Sequence, residues 1–345
     1  MSRTESPINV GVIGVGWFGE LHAKIYDYIA GAVLLGVYDR NSSRAEEVAK
    51  KFGVRAYPSL QEMLADPRIT AVSVCTSDDH HVEPAIAACE AGKHVLLEKP
   101  MALTIQDCAR VIGASRKAGI QLMPGHVLRF NSRYRLAHSK ICSGEIGDIS
   151  HMYSHRSLPK SAAHRVAHWG GRDSILFHLA VHDIDVLSWL VGDEVVEVFA
   201  ISRSGVIEAE GSPLSDVVLT LLKFRKGAVA SLEHSWIHPN NYPILVEVNT
   251  EITGTRGKLS INLTGDGAIS FTPNGVQYFS ENYWPVLDIE ISSDLRDELE
   301  VFVHCIANHK PVPVTPEDGR RSIATVLAIQ ESLQRHIPIQ VGSIM

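Results

Sequence analysis

The sequence predicts two domains: a doubly wound α/β domain with a parallel sheet, then an α+β domain whose open sheet is predominantly antiparallel. Three observations carry that expectation. An apolar run ending in Val10-Gly11-Val12-Ile13 meets the turn Gly14-Val15-Gly16-Trp17-Phe18-Gly19. Through residue 125, nearly continuous apolar strands alternate with helical patterns across short connections, the pattern of a parallel sheet covered on both faces. Beyond that point strands follow strands, several alternating apolar with polar residues, which suits an antiparallel sheet with one wet face. The 345 residues suffice for two domains at roughly 100–200 residues each. The change of pattern divides them as residues 1–125 and 126–345.

In the first domain the candidate strands are 8–13, 33–39, 55–57, 71–75, 94–98 and 120–124. Ser43-Arg44-Ala45-Glu46 fits a capping box that starts a helix closed by Gly53. The helical stretches 82–91 and 104–118 end at Gly92 and Gly119. In the opening turn, Gly14 allows a tight exit from the strand and Gly16 lets a pyrophosphate approach the backbone. Gly19 lets the next helix pack on the strand with its N–H groups aimed at the phosphates. The second strand ends in Asp39, twenty residues after Gly19, where a carboxylate accepts the ribose hydroxyls of an adenosine. Strand, turn, helix and acidic residue together outweigh the alternative of a plain glycine-rich turn.

In the second domain the candidate strands are 149–157, 195–202, 217–224, 228–236, 245–250 and 258–262, with two shorter runs after them. The turn Gly254-Thr255-Arg256-Gly257 separates two of these. One long helix, 177–190, interrupts the strands, and helices 294–308 and 317–336 close the chain. No internal repeat or low-complexity linker is visible, so the boundary is a hinge.

Composition narrows the function. At 45% hydrophobic and 21% charged residues the chain reads as globular. Its net charge of −7 argues against sequence-independent nucleic-acid binding, which needs clustered Lys and Arg. No apolar run reaches the ~20 residues of a membrane span. The N-terminus lacks the apolar core of a signal peptide. The five scattered cysteines, Cys75, Cys89, Cys108, Cys142 and Cys305, read as free thiols of a reducing cytoplasm.

Ligands of open parallel sheets bind beyond the carboxyl ends of the strands. There the sequence offers the segment Cys75 to His81, then Glu98-Lys99-Pro100, then Gly125 to Phe130. Charged residues at the end of a buried strand are costly unless paired or used. In the long helix, His178, His182 and Asp185 fall at i, i+4 and i+7, one polar stripe on an apolar helix. A histidine near neutral pKa is the usual general base for a hydroxyl proton, and a nearby aspartate orients it. Three His-x-x-x-His spacings occur, at 151/155, 164/168 and 178/182. No further ligand pattern completes any of them, so no metal is expected.

These segments resemble the Gfo/Idh/MocA oxidoreductases. The resemblance rests on Gly14 to Gly19, Thr76 to His81, Ala91-Gly92-Lys93-His94-Val95-Leu96-Leu97-Glu98-Lys99-Pro100, Arg129-Phe130-Asn131, and Val181-His182-Asp183-Ile184-Asp185. It implies a Rossmann domain followed by an antiparallel sheet domain, with Lys99 and His182 as the catalytic pair and His178 beside them. The cofactor-binding set it implies is Gly14, Gly16, Trp17, Phe18, Gly19, Asp39, Arg40, Thr76, Ser77, His81, Glu98 and Lys99. Substrate contacts would come from Lys99, Arg129, His155, Arg156, Trp169, His178 and His182, with Trp236 a further candidate. The implied substrate is a sugar, a polyol such as a cyclitol, or a sugar conjugate, and the implied assembly a homo-oligomer, dimer or tetramer. Asp39 favours NAD, because its charge repels a 2′-phosphate, while Arg40 leaves room for NADP. Two positions depart from the family. His178 stands where many members carry Asp, removing a permanent charge that would raise the pKa of His182; a role shared with Asp185 is the alternative. Thr76-Ser77-Asp78 replaces the usual Thr-Pro-Asn. A non-catalytic dinucleotide sensor and a methyltransferase are the competing readings; the latter leaves Glu98-Lys99-Pro100 unexplained.

Overall fold

The structure is a computed structural model that describes residues 7–167, 174–242, 246–263, 268–272, 275–279, 286–287, 290–291 and 294–345. The chain divides into two compact units, residues 1–127 with 286–320, and residues 128–285 with 321–345. The first unit opens with β1 (Ile8–Ile13), α1 (Trp17–Tyr28), β2 (Ala32–Tyr38), α2 (Ser42–Phe52), β3 (Arg55–Ala56) and α3 (Leu60–Ala65). It continues with β4 (Ala71–Val74), α4 (Val82–Glu90), β5 (His94–Glu98), α5 (Ile105–Ala118) and β6 (Leu122–Gly125). The second unit contains α6 (Ser132–Cys142), β7 (Ile149–Pro159), α7 (Lys160–Val166), a π-helical turn (Leu176–Ala180), α8 (Val181–Val191) and β8 (Val195–Arg203). There follow α9 (Val206–Ala209), β9 (Val217–Phe224), β10 (Val229–His238), β11 (Glu247–Gly254), β12 (Lys258–Asn262) and the hairpin of β13 (Ala268–Thr272) and β14 (Gly275–Phe279). Last come β15 (Val286–Leu287), β16 (Glu290–Ile291), α10 (Asp294–Ala307), α11 (Pro316–Arg335) and β17 (Ile339–Gln340).

The first sheet is wholly parallel in the order β3-β2-β1-β4-β5-β6. This is the doubly wound order, and its reversal between β1 and β4 opens a crevice at the strands' carboxyl ends. The buried strands read as continuous apolar runs: Ala71 to Val74 and Val95 to Leu97 have no exposed surface. Helix ends follow local chemistry. Thr104 accepts the Asp107 N–H at 3.1 Å to start α5, and Gly119 closes it at φ +67°. The start of α2 differs from the sequence expectation. Asn41, not Ser43, is the cap: its extended backbone lets Oδ1 accept the Arg44 N–H at 3.3 Å, so the helix begins before the expected box.

Residues 286–320 belong to the first unit, whereas the sequence pattern put everything after residue 125 in one domain. Helix α10 packs on α1 and β1 with Leu295, Leu299, Phe302, Val303 and Ile306 buried. Gly319 closes the same region, since an added Cβ there would lie 3.0 Å from Pro124. An amphipathic helix announces that one face is covered but not by which unit.

In the second unit a seven-stranded sheet runs β12-β11-β7-β10-β9-β8-β17. Every pair is antiparallel except β7 with β10, which is parallel. Helices α6 and α7 were not visible as helices in the sequence pattern; Asn131 caps α6 by accepting the Arg133 N–H at 3.1 Å. The strict alternation of β9 buries Val218, Thr220, Leu222 and Phe224 and leaves Leu219, Leu221 and Lys223 exposed. On the buried face, Trp236 has no exposed surface and donates its indole N–H to the Ser215 carbonyl at 2.7 Å. Trp236 is therefore a core residue, not the substrate contact the resemblance offered. Trp236→Ala is expected to cost about 3–5 kcal/mol, measured by urea unfolding. A loss under about 1 kcal/mol would show that the indole is not holding this core together.

Candidate cofactor and catalytic sites

In the first unit the glycine turn is built by close backbone approach. Gly14 sits at φ +82°, and a Cβ on it would lie 2.8 Å from the Thr76 nitrogen. A Cβ on Gly19 would fall 1.9 Å from the Gly14 carbonyl oxygen, so the first turn of α1 can only close with glycine there. Gly16 differs: a Cβ on it would meet nothing within 4 Å. The turn is thus packed against protein on two sides and open at Gly16, where the N-terminus of α1 points outward with no side-chain cap. That geometry fits a pyrophosphate laid against the backbone N–H groups.

Asp39 follows β2 and reaches the same turn. Its Oδ2 accepts the Val15 N–H at 2.8 Å and its Oδ1 accepts the Asn41 N–H at 2.9 Å. Each oxygen keeps a second lone pair for a ribose hydroxyl, so the expected role stands beside a structural one. Arg40 Nη1 lies 3.2 Å from His80 Nε2. Arg44 supports the turn from α2 by donating to the Val15 carbonyl at 2.9 Å and pairing with Glu20. Trp17 is largely exposed at the start of α1, its ring 5.9 Å from that of Phe18.

At the end of β4, Thr76 donates to the His80 carbonyl at 2.9 Å and contacts His81 Nδ1 at 2.9 Å. Ser77 donates to Asp79 at 2.8 Å, so the loop is tied internally. His81 is buried, and burial pushes its pKa down, with Lys99 acting in the same direction. At the end of β5, the buried Glu98 precedes the half-buried Lys99. Glu98 Oε2 accepts the Lys99 N–H at 3.2 Å.

In the second unit, His182 lies in the first turn of α8 and His178 in the π-helical turn before it. The expected α-helical i, i+4 stripe is therefore altered: the wider i→i+5 turn rotates His178 out of the phase an unbroken α-helix would give. Asp185 gives both oxygens to Arg129, at 2.8 Å from Nε and 2.6 Å from Nη2. Asp183, with no exposed surface, takes a bidentate pair from Arg156 at 2.8 and 3.0 Å, His234 Nε2 at 3.0 Å and the Ser154 hydroxyl at 3.2 Å. Thr250 and Tyr134 extend this network at 3.1 and 2.8 Å. Burial opposes charge on Asp183, but Arg156 and His234 overcome it and hold its carboxyl well below the ordinary aspartate range.

Strand alternation separates two expected substrate residues. Arg156 is on the buried face, committed to Asp183, while His155 faces the open side and bonds Ser157 at 2.9 Å. Arg129, His178 and His182 lie in or beside α8's network; Trp169 lies outside the described residues. Asp183 and His234 were missed in the sequence. The adjacency of Asp183 to His182 was the available signal, but its partners sit on other strands. Among the described residues no group of three or more His, Cys, Asp or Glu side chains is placed to hold a metal ion.

A doubly wound sheet with an open glycine turn and an acidic β2 end defines a dinucleotide-binding protein. Residues 8–126 match the Gfo/Idh/MocA oxidoreductase family with its NAD-binding Rossmann fold, and residues 134–260 match the family's C-terminal domain. The chain belongs to this family and is an oxidoreductase with an NAD-binding domain. It is 28% identical over 344 residues to myo-inositol 2-dehydrogenase of Thermotoga maritima, covering 98% of this chain and 100% of that one. It is 28% identical to the scyllo-inositol 2-dehydrogenase (NAD(+)) of Bacillus subtilis, covering 97% of each. A crystal structure of a probable dehydrogenase from Thermotoga maritima superposes with a TM-score of 0.86 at 26% identity, covering 98% of this chain and 100% of that one.

Asp183→Asn is expected to destabilise the protein by about 3–5 kcal/mol, because it strands the buried Arg156 charge. The depressed carboxyl pKa fixes the sign with pH. The Asp183 contribution is complete above an ordinary aspartate pKa near ~3.9 and is lost as pH falls below it. Urea unfolding at several pH values checks both, and an Asn variant as stable as the parent at pH 7 would contradict the network's importance.

Proposed function

We propose that the protein is an NAD-dependent dehydrogenase that oxidises a secondary hydroxyl of a sugar, cyclitol or sugar conjugate to a ketone. The observation that carries this reading is the open Gly16 turn beside the Asp39 carboxylate, in a chain whose Lys99 emerges at the carboxyl end of β5. When bound, NAD supplies the hydride acceptor. Gly14, Gly16, Gly19 and the N-terminus of α1 hold its pyrophosphate, and Asp39 its adenosine ribose. Thr76, Ser77, His81 and Glu98 line the strand ends around it. Lys99 orients the substrate hydroxyl and stabilises negative charge developing on its oxygen. An imidazole nitrogen of His182 accepts the hydroxyl proton. The carbon gives up a hydride, the oxygen a proton, and the C=O bond forms. Arg129 orders this end of α8 through Asp185, and His178 modulates His182.

The two inositol dehydrogenases among the relatives support a polyol substrate. Asp39 supports NAD over NADP, by charge repulsion of a 2′-phosphate. Ile201, Leu219, Leu221 and Val229 are exposed on the open face of the second sheet, which supports a homo-oligomer built on that face. Five free cysteines support a reducing, cytoplasmic location.

A screen of sugars, inositols and glycosides for NADH formation tests the reading. We expect turnover of at least one polyol, with NAD used more efficiently than NADP. Lys99→Ala should lose about 100-fold or more in kcat; activity surviving that change would overturn the site. His178→Asp restores a permanent charge near His182 and should shift the acid limb of the kcat profile upward. An unchanged limb would remove His178 from the mechanism.

A further inference from the structure

His22 lies on α1 one turn beyond Gly19 and has no exposed surface. Its Nε2 stands 3.2 Å from Glu98 Oε1. The ring is turned away from hydrogen-bond alignment, so the contact is that of an imidazole beside a buried carboxylate. Phe18 and Tyr26 flank the ring at centroid distances of 5.1 and 6.4 Å, fixing its plane. Glu98 is equally confined. A Cβ on Gly125 would come within 2.7 Å of its Oε1, so only glycine at the facing position of β6 leaves room for the carboxylate. Its other oxygen accepts the Lys99 N–H. A continuous line of contacts therefore runs from the helix of the glycine turn, through His22 and Glu98, to the backbone of Lys99.

We propose that His22 is a positioning residue: it holds the Glu98 carboxylate, and through it the backbone of Lys99, in register with the cofactor-binding turn. The proposal rests on the role given to Lys99 above. A carboxyl group this deeply buried needs a polar partner, and His22 Nε2 stands 3.2 Å from its Oε1. The other titratable groups around Glu98 are Cys75 at the end of β4, His81 before α4, Lys99 itself and Tyr26 on α1; Glu298 on α10 acts on the same Cys75 and Tyr26. His126 follows Gly125 on the neighbouring strand.

The test compares His22→Leu, which keeps the bulk, with His22→Gln, which keeps a donor near the position of Nε2. For His22→Leu we expect kcat down about tenfold or more with NADH affinity within about twofold, because the Lys99 backbone loses its register while the glycine turn is untouched. His22→Gln should recover kcat to within about threefold of the parent. Equal losses in both variants, or a Leu variant with the parent's kcat, would overturn the proposal. A readout independent of turnover separates it from the dehydrogenase reading. The side-chain carboxyl ¹³C signal of Glu98, assigned with Glu98→Gln, should change position at fixed pH in His22→Leu and return towards the parent's position in His22→Gln. An unmoved signal defeats the His22–Glu98 pairing. A moved signal in a protein that oxidises no polyol would leave the pairing intact and defeat the function.

Discussion

A carboxylate with no exposed surface organises the second unit. Asp183 is charged, and a buried charge is tolerated only when neutralised and fully hydrogen-bonded. Its partners come from β7, through Arg156 and Ser154, and from β10, through His234. Thr250 of β11 and Tyr134 of α6 complete the polar shell. Satisfying one group thereby sets the register of three strands and ties two helices to the sheet. Because α8 is fixed at Asp183 and again at Asp185, His182 between them inherits a defined place. The cost of burying charge falls on the residues flanking the candidate base, which is itself half-buried.

The first unit rests on a different constraint, the close approach of backbone to backbone. Gly14 against Thr76 and Gly19 against the Gly14 carbonyl leave no volume for side chains. The acidic end of β2 then holds the turn by accepting the Val15 N–H. One carboxylate both shapes the turn and stands where a ribose is read. The same economy recurs at Glu98, which needs Gly125 for space and has His22 Nε2 beside its Oε1. In each case a polar group at a strand's carboxyl end is kept by a partner from another element.

Much of this was legible in the chain. Apolar strands, glycine helix ends and the alternation of β9 report local requirements, and local requirements are written in adjacent residues. The π-helical turn was not legible, because 177–190 carries the same residue types whether the backbone bonds i→i+4 or i→i+5. The opposite fates of His155 and Arg156 follow from strand alternation, but only once the register of β7 is known. Trp236 looked like a candidate ligand contact for want of that register. The place of α10 in the first unit was hidden for a related reason: its apolar face fits any apolar surface.

The sequence by itself determined the class of the protein: the glycine turn, Asp39, the Glu98-Lys99-Pro100 segment and His182 are short-range signatures of dinucleotide chemistry. Tertiary structure decided which polar residues are spent on structure and which are left for chemistry. That division depends on pairs far apart in sequence, His22 with Glu98, Arg129 with Asp185, and Arg156 and His234 with Asp183. A buried charge is stabilised by whatever stands within a few ångströms of it, and no local pattern records what that will be.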